Sequence, residues 1–188
     1  MKTSLFILAF FVLAISPQKQ ELTHKEIIKQ YYDAFNHSDF EKVKELIADS
    51  IVFTEGDYVM PYSKESFHEK FRWDSVFKPT YKIIELKEHG NQVIATVAVT
   101  SLRFKFLKNN PLTCSHKFSF KSGEIVKSEA LDCIDADWIV WQKERDTLVK
   151  WVSMHHPDLN GFIHDLTMKG AVNYVRAMNL YTNRRDSL

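Results

Sequence analysis

The chain has 188 residues, 45% of them hydrophobic and 26% charged, which is enough for one domain with a sizeable core and too short for two ordinary enzyme domains. Its 25 Lys and Arg stand against 24 Asp and Glu, a formal charge of +1 that argues against an extended nucleic-acid or acidic-membrane surface. The five glycines, at 56, 90, 123, 161 and 170, lie too far apart to build a dinucleotide fingerprint, a phosphate loop or a nucleophile elbow, so no cofactor is expected.

The chain opens Met1, Lys2, then an apolar run from Leu5 to Ile15, then Ser16-Pro17-Gln18-Lys19-Gln20. A basic start and a short apolar stretch predict a secretory signal peptide over 1–20. The run is shorter than the about 20 residues a membrane span needs. The expected protein is therefore secreted or periplasmic, with no stable membrane anchor after signal removal. Export permits a disulfide. Cys114 and Cys133 fall on two arms of one predicted hairpin, where they form either a bridge or two small buried apolar residues.

From residue 23 the spacing predicts helices and strands in turn. Thr23-x-x-Glu26 is a capping box opening a helix with Ile27, Ile28, Tyr31, Tyr32 and Phe35 on one face. Asn36-His37 ends it; Asn36-His37-Ser38 is also a formal glycosylation sequon, meaningful only on a eukaryotic secretory route. Ser38-x-x-Glu41 is read as a second capping box, opening a helix with Val43, Leu46 and Ile47. Ile51, Phe53 and Glu55 alternate as a short strand that Gly56-Asp57 closes. A third helix is predicted over 64–76. After Pro79 the period becomes two, and strands are expected over 80–88, 92–106, 112–121 and 124–133. From Asp135 the helical period returns. Trp138, Trp141, Leu148 and Val152 mark one helix, and a second is expected from Pro157 to about Tyr181.

This order predicts an α+β fold, a curved antiparallel sheet packed on N-terminal helices. The expected division is a signal peptide over 1–20, a domain over 21–134, and a helical extension over 135–188 packed on that domain.

The stretch Gln30-Tyr31-Tyr32-Asp33-Ala34-Phe35-Asn36-His37-Ser38-Asp39-Phe40-Glu41-Lys42-Val43, followed by Leu46-Ile47-Ala48-Asp49-Ser50-Ile51-Val52-Phe53, resembles the opening of the nuclear-transport-factor-2-like (NTF2-like) superfamily. In style it is similar to the SnoaL-like polyketide cyclases and the ketosteroid isomerases. The resemblance covers about 23–133 and leaves the last two helices outside. It implies a cone-shaped α+β barrel with a pocket at its wide end, and homodimerisation. Ketosteroid isomerases use an Asp base, with a Tyr and a protonated Asp as donors to the enolate oxygen. Carried onto this chain, the Tyr falls on Tyr31, the base on Glu55, and the protonated Asp on His116, so one position matches and two differ.

The residues themselves support the same candidates. Glu55 shares strand parity with Ile51 and Phe53; it either lies on the core side, where desolvation suits a general base, or is an end-of-strand glutamate that reaches solvent or pairs with an arginine. Tyr31 lies one turn from Ile27, Ile28 and Phe35 and either donates into the pocket or is a core tyrosine satisfied locally; Tyr32 replaces it if the helix is rotated. His116 shares parity with Cys114, Phe118 and Phe120, opposite the polar Ser115, Lys117, Ser119 and Lys121, and is expected inside, where it either donates to a ligand or shuttles a proton, or is a satisfied core histidine. Asp57, Tyr58, Arg72, Trp73 and Arg103 are expected at the pocket rim, with Tyr32, Tyr58, Trp73, Arg103 and Phe118 as ligand contacts. Arg103 turns inward to hold a carboxylate or phosphate if it follows Val97, Val99 and Ser101, and outward if Leu102, Phe104 and Phe106 form the buried face. His155, His156, His164 and Asp165 cluster in sequence without an i, i+4 histidine pair, so no metal site is expected.

The expected function is binding of a small, mostly apolar or carbonyl-bearing molecule in the cone, with no nucleic-acid partner. Two alternatives stand beside it. One is a SnoaL-like isomerase, cyclase or dehydratase acting next to a carbonyl, with Glu55 as base and Tyr31 and His116 as donors. The other is a non-catalytic dimeric interaction module with an occluded cone.

Overall fold

A computed structural model of the protein describes residues 22–184. The predicted signal segment lies outside the described residues.

The first helix, α1 (His24–Asn36), starts where expected: the Thr23 hydroxyl accepts from the Glu26 N–H, and the Glu26 carboxylate accepts from the Thr23 N–H at 2.7 Å. Ile27, Ile28, Tyr31, Tyr32 and Ala34 form its buried stripe. The second helix, α2 (Phe40–Leu46), is capped by Asp39 rather than Ser38; Asp39 Oδ1 accepts from the Lys42 N–H at 3.0 Å. Ser38 sits at φ 55°, in the left-handed turn between the helices, and so lacks the extended backbone of a capping residue. Ile47, expected in this helix, is instead extended and begins β1 (Ile47–Glu55).

β2 (Tyr58–Ser63) was not anticipated. It pairs antiparallel with β1 across a two-residue turn, Gly56-Asp57, with Glu55 opposite Tyr58 and Gly56 at φ 55°. Its Pro61 is tolerated because β2 is an edge strand. Ser63 then caps α3 (Lys64–Ser75), which buries Phe67 and Phe71.

The strands β3 (Thr80–His89), β4 (Gln92–Thr100), β5 (Leu112–Lys121) and β6 (Glu124–Ile134) form the expected antiparallel meander. The sheet order is β2-β1-β6-β5-β4-β3. β1 runs parallel to β6, so the complete sheet is mixed, curved and unclosed. Register shifts within the β3–β4 and β5–β6 ladders supply local bends. Cys114 and Cys133 are register partners on β5 and β6 and form a disulfide.

The strand expected over 92–106 stops at Thr100. Ser101 accepts from the Phe104 N–H and caps a short helix, α4 (Leu102–Phe106). The alternation of Leu102, Phe104 and Phe106 fits a strand face, whereas the local Ser101 side-chain cap turns these residues into a helix. This moves Arg103 off the sheet.

The last helices are α5 (Trp138–His155) and α6 (Met168–Asn183). Pro157 opens only a single 3-10 turn, to Leu159. Gly161 at φ 84° turns the chain there, and α6, capped by Thr167, starts at Met168 rather than at Pro157.

The core has two parts. One fills the space between α1, α2, α3 and the sheet, around Ile28, Val43, Ile51, Phe67, Val97 and Phe118. The other joins Phe77 to Leu148 and Val152 of α5 and to Ala171, Tyr174 and Ala177 of α6. Through it, α6 packs on α3 and α4.

Candidate functional site

Tyr31, Tyr32 and Phe35 are carried by the sheet-facing side of α1. Phe53 of β1, Phe67 of α3 and Phe118 of β5 complete an aromatic wall. The Tyr31 and Tyr32 rings meet Phe118 edge-on at 5.7 and 6.0 Å, and Phe53 stacks on Phe67 at 5.1 Å. Together these rings enclose a chamber of about 210 Å³. A second space of about 490 Å³, the vestibule, adjoins the chamber. Glu55, Lys70, Asp74, Tyr81, Val99, His116 and Ala130 border both spaces. The two are therefore one funnel with a polar neck.

The neck has a definite electrostatic character. Burial, reinforced by the Lys70 charge, pushes His116 down to about 4. At neutral pH its ring is uncharged, with one nitrogen donating and the other accepting. Burial also lowers the Lys70 ammonium, against the pull of Asp74. Lys70 Nζ lies 5.7 Å from the centre of the Phe53 ring. The Tyr81 hydroxyl donates to the Asp74 carboxylate. Burial holds the hydroxyls of Tyr31, Tyr32 and Tyr81 protonated well above their ordinary range, with the Asp74 charge adding to the shift at Tyr31 and Tyr81. A ligand reaching from the chamber to the neck meets donors and a cation, which suits a carbonyl or another acceptor group.

The structure brings Tyr31, Glu55 and His116 to this one cavity, with Tyr32 and Phe118. His116 borders both spaces, with its ring 6.4 Å from that of Phe118. Of the two readings of Glu55, the structure favours the end-of-strand one: its strand parity turns it toward the funnel, where it borders both spaces, but β1 ends there and Glu55 is exposed to solvent. Tyr58, on the far side of the Gly56-Asp57 turn, is 75% exposed and borders neither space. Trp73 faces away from the funnel: its indole N–H donates to the Asp165 carbonyl at 3.2 Å and its ring packs on Phe77. Arg72 is exposed and pairs with Glu69 at 3.1 Å. Arg103 borders the vestibule from α4, not from a strand. His155 stacks on Trp151, and Asp165 accepts from the Thr167 N–H. Among the described residues no group of three His, Cys, Asp or Glu side chains is arranged to hold a metal ion.

Lys70, Asp74 and Tyr81 were missed as site residues. The signal for the first two was present. Phe67, Lys70, Phe71 and Asp74 follow the i, i+3, i+4, i+7 spacing of one helix face, so a lysine and an aspartate had to share the side that buries two phenylalanines.

No protein-family model and no curated protein matches the sequence. Solved structures do match. An NTF2-like protein of unknown function from Cytophaga hutchinsonii is 16% identical, with a TM-score of 0.50, over 61% of this chain and 93% of that one. A protein from Kribbella flavida is 10% identical, also with a TM-score of 0.50, over 64% of this chain and 94% of that one. The share of this chain covered by the first is about the length of the stretch from α1 through β6. The element order, the curved sheet wrapped on α1 and these likenesses agree: the chain has the NTF2-like fold.

Proposed function

We propose that the funnel binds a small, mostly apolar molecule with a carbonyl or similar acceptor, and that the protein does so after export. The observation that carries this reading is the division of the cavity: aromatic rings in the chamber, and Lys70, Tyr81 and His116 at the neck. The chamber is smaller than the roughly 300–1,000 Å³ of ordinary small-molecule sites, and the vestibule is within that range. A ligand of ordinary size therefore spans the neck, with its apolar end inside. The Cys114–Cys133 disulfide supports an oxidising compartment, as export supplies. Titration with 2-acetylnaphthalene tests the reading. Saturable binding that Ala130→Trp abolishes by filling the neck supports it; absent binding, or binding indifferent to that change, counts against it.

A second reading, catalysis next to a carbonyl, is favoured by one observation: Glu55, Tyr31 and His116 border the same chamber. In it, Glu55 takes a proton from the carbon beside the carbonyl, and Tyr31 and His116 donate to the oxygen that gains charge. The base works from the neck, where it is open to solvent. An interaction module with an occluded cone fits the open funnel less well, and homodimerisation is compatible with either of the first two readings.

A further inference from the structure

A second cavity of about 510 Å³ lies where the C-terminal helices meet α3 and α4, bordered by Trp73, Arg103, Arg145, Val149, Ile163 and Tyr174 among others. It shares only Arg103 and Trp141 with the vestibule. Its charges do not cancel. Arg145 is taken by Asp146, which accepts from Nε and from a terminal nitrogen, both at 2.8 Å. Arg103 has no such partner among the described residues. Its guanidinium lies against three rings, 4.9 Å from Trp73, 5.2 Å from Phe104 and 5.3 Å from Phe77. Its Nε is fully enclosed and has no acceptor.

Ring faces steady a guanidinium but leave its N–H groups without oxygen acceptors. The enclosed Nε is out of a ligand's reach, but the terminal nitrogens of this half-buried guanidinium are not enclosed, and a carboxylate's two oxygens match that outer edge of the planar fork. The vestibule side suits an anion less, because its three carboxylates, Glu55, Asp74 and Asp132, outnumber Lys70 and Arg103. The cleft side suits one better: its one carboxylate, Asp146, is already paired, and Leu107, Val149, Ile163 and Leu166 give it apolar walls beside Trp73 and Trp141.

We propose that this cleft is a second binding site, which takes an organic carboxylate with an aromatic or branched apolar body and holds the carboxylate on Arg103. The proposal does not depend on the funnel having a ligand.

The test titrates the full chain with 1-naphthaleneacetate and with its uncharged amide, followed by calorimetry and tryptophan fluorescence. The carboxylate is expected to bind more tightly than the amide by about tenfold or more, the scale of one charge-assisted hydrogen bond. Arg103→Gln should bring the two probes to equal affinity. Ile163→Trp, which fills the cleft and leaves Arg103 in place, should abolish carboxylate binding, whereas Ala130→Trp in the funnel should not. No saturable binding, equal affinity of the two probes for the unaltered protein, a preference that survives Arg103→Gln, or loss of binding in Ala130→Trp but not in Ile163→Trp would each overturn the proposal.

Discussion

The Tyr81 hydroxyl donates to the Asp74 carboxylate and so ties β3 to α3 at the neck of the funnel. The backbone of Tyr81 is held in turn by Asn36 at the end of α1: Asn36 Oδ1 accepts from the Tyr81 N–H at 2.7 Å, and Asn36 Nδ2 donates to the Tyr81 carbonyl at 2.9 Å. Three elements thus converge on one residue. The same contacts occupy the side-chain amide of Asn36, so the formal sequon there is committed to the fold.

Tyr81→Phe keeps the ring contacts with Phe35 and Tyr32 and removes one hydrogen bond to a charged group. A loss of about 1.5–3 kcal/mol is expected, the usual range for such a bond. It should be seen as a lower denaturant midpoint with an unchanged slope. A variant as stable as the parent would show that the Tyr81–Asp74 bond adds nothing to the fold.

Glu55→Gln separates the two readings of the funnel. Glu55 is exposed and carries no part of the core, so the variant should fold with unchanged stability within about 0.5 kcal/mol. If the funnel is catalytic, exchange of the α-protons of a bound ketone with D2O, followed by NMR, should fall by about a hundredfold or more when the base is removed. Affinity for the ketone should stay within about threefold, since the side chain keeps its shape. Proton exchange equal to that of the parent would remove Glu55 from the mechanism.

Much of this arrangement was legible because burial and period agree. The apolar stripe of α1 and the alternation around His116 and Phe118 place Tyr31, Tyr32, His116 and Phe118 inside, and all four line the cavity. What misled was local chemistry that overrides pattern. Ser101 caps a turn and so converts an alternating Leu102-Arg103-Phe104-Lys105-Phe106 run into helix. Gly56-Asp57 ends a strand and is equally a two-residue hairpin signal, and the structure uses it as the β1–β2 turn. Glu55 had the right parity, but parity says nothing about where a strand stops. The cleft beside Arg103 depends on how α5 and α6 dock, and no local spacing reports that.

His116 makes stability depend on pH. Its proton affinity is near pH 4 when folded and near the ordinary 6.5 when unfolded, so the unfolded chain binds more protons between those values. Stability is fully present above about pH 6.5 and is lost as pH falls through about 4. The span corresponds to about 3 kcal/mol at most. His116→Phe should flatten this part of the profile, measured as denaturant midpoints from pH 7 to pH 4. A parent profile that His116→Phe leaves unaltered would place the acid sensitivity in other groups.

Gly170 tests how the C-terminal helices are attached. It lies in the first turn of α6, and its N–H donates to the capping Thr167 hydroxyl at 3.3 Å. A Cβ at this position would lie 2.0 Å from the Asp165 carbonyl oxygen and 2.5 Å from the Asp165 Cγ. The same carbonyl accepts from the Trp73 indole, and the Asp165 carboxylate accepts from Thr167 at 3.0 and 2.6 Å. In an ordinary helix interior, Gly→Ala stabilises by about 1 kcal/mol. Here the obstacle is backbone, which yields far less readily than the end of a flexible side chain, and relief must displace the bond to Trp73 and the cap of α6 together. Overpacking of this kind costs about 1–3 kcal/mol, and the lost contacts add to it, so steric strain outweighs helix propensity. Gly170→Ala is therefore expected to lower stability by about 1–3 kcal/mol and to raise the fluorescence sensitivity of Trp73 to quenchers. A variant stabilised by the change would mean that Asp165 and the start of α6 move apart freely, and that α6 is not locked to α3 at this point.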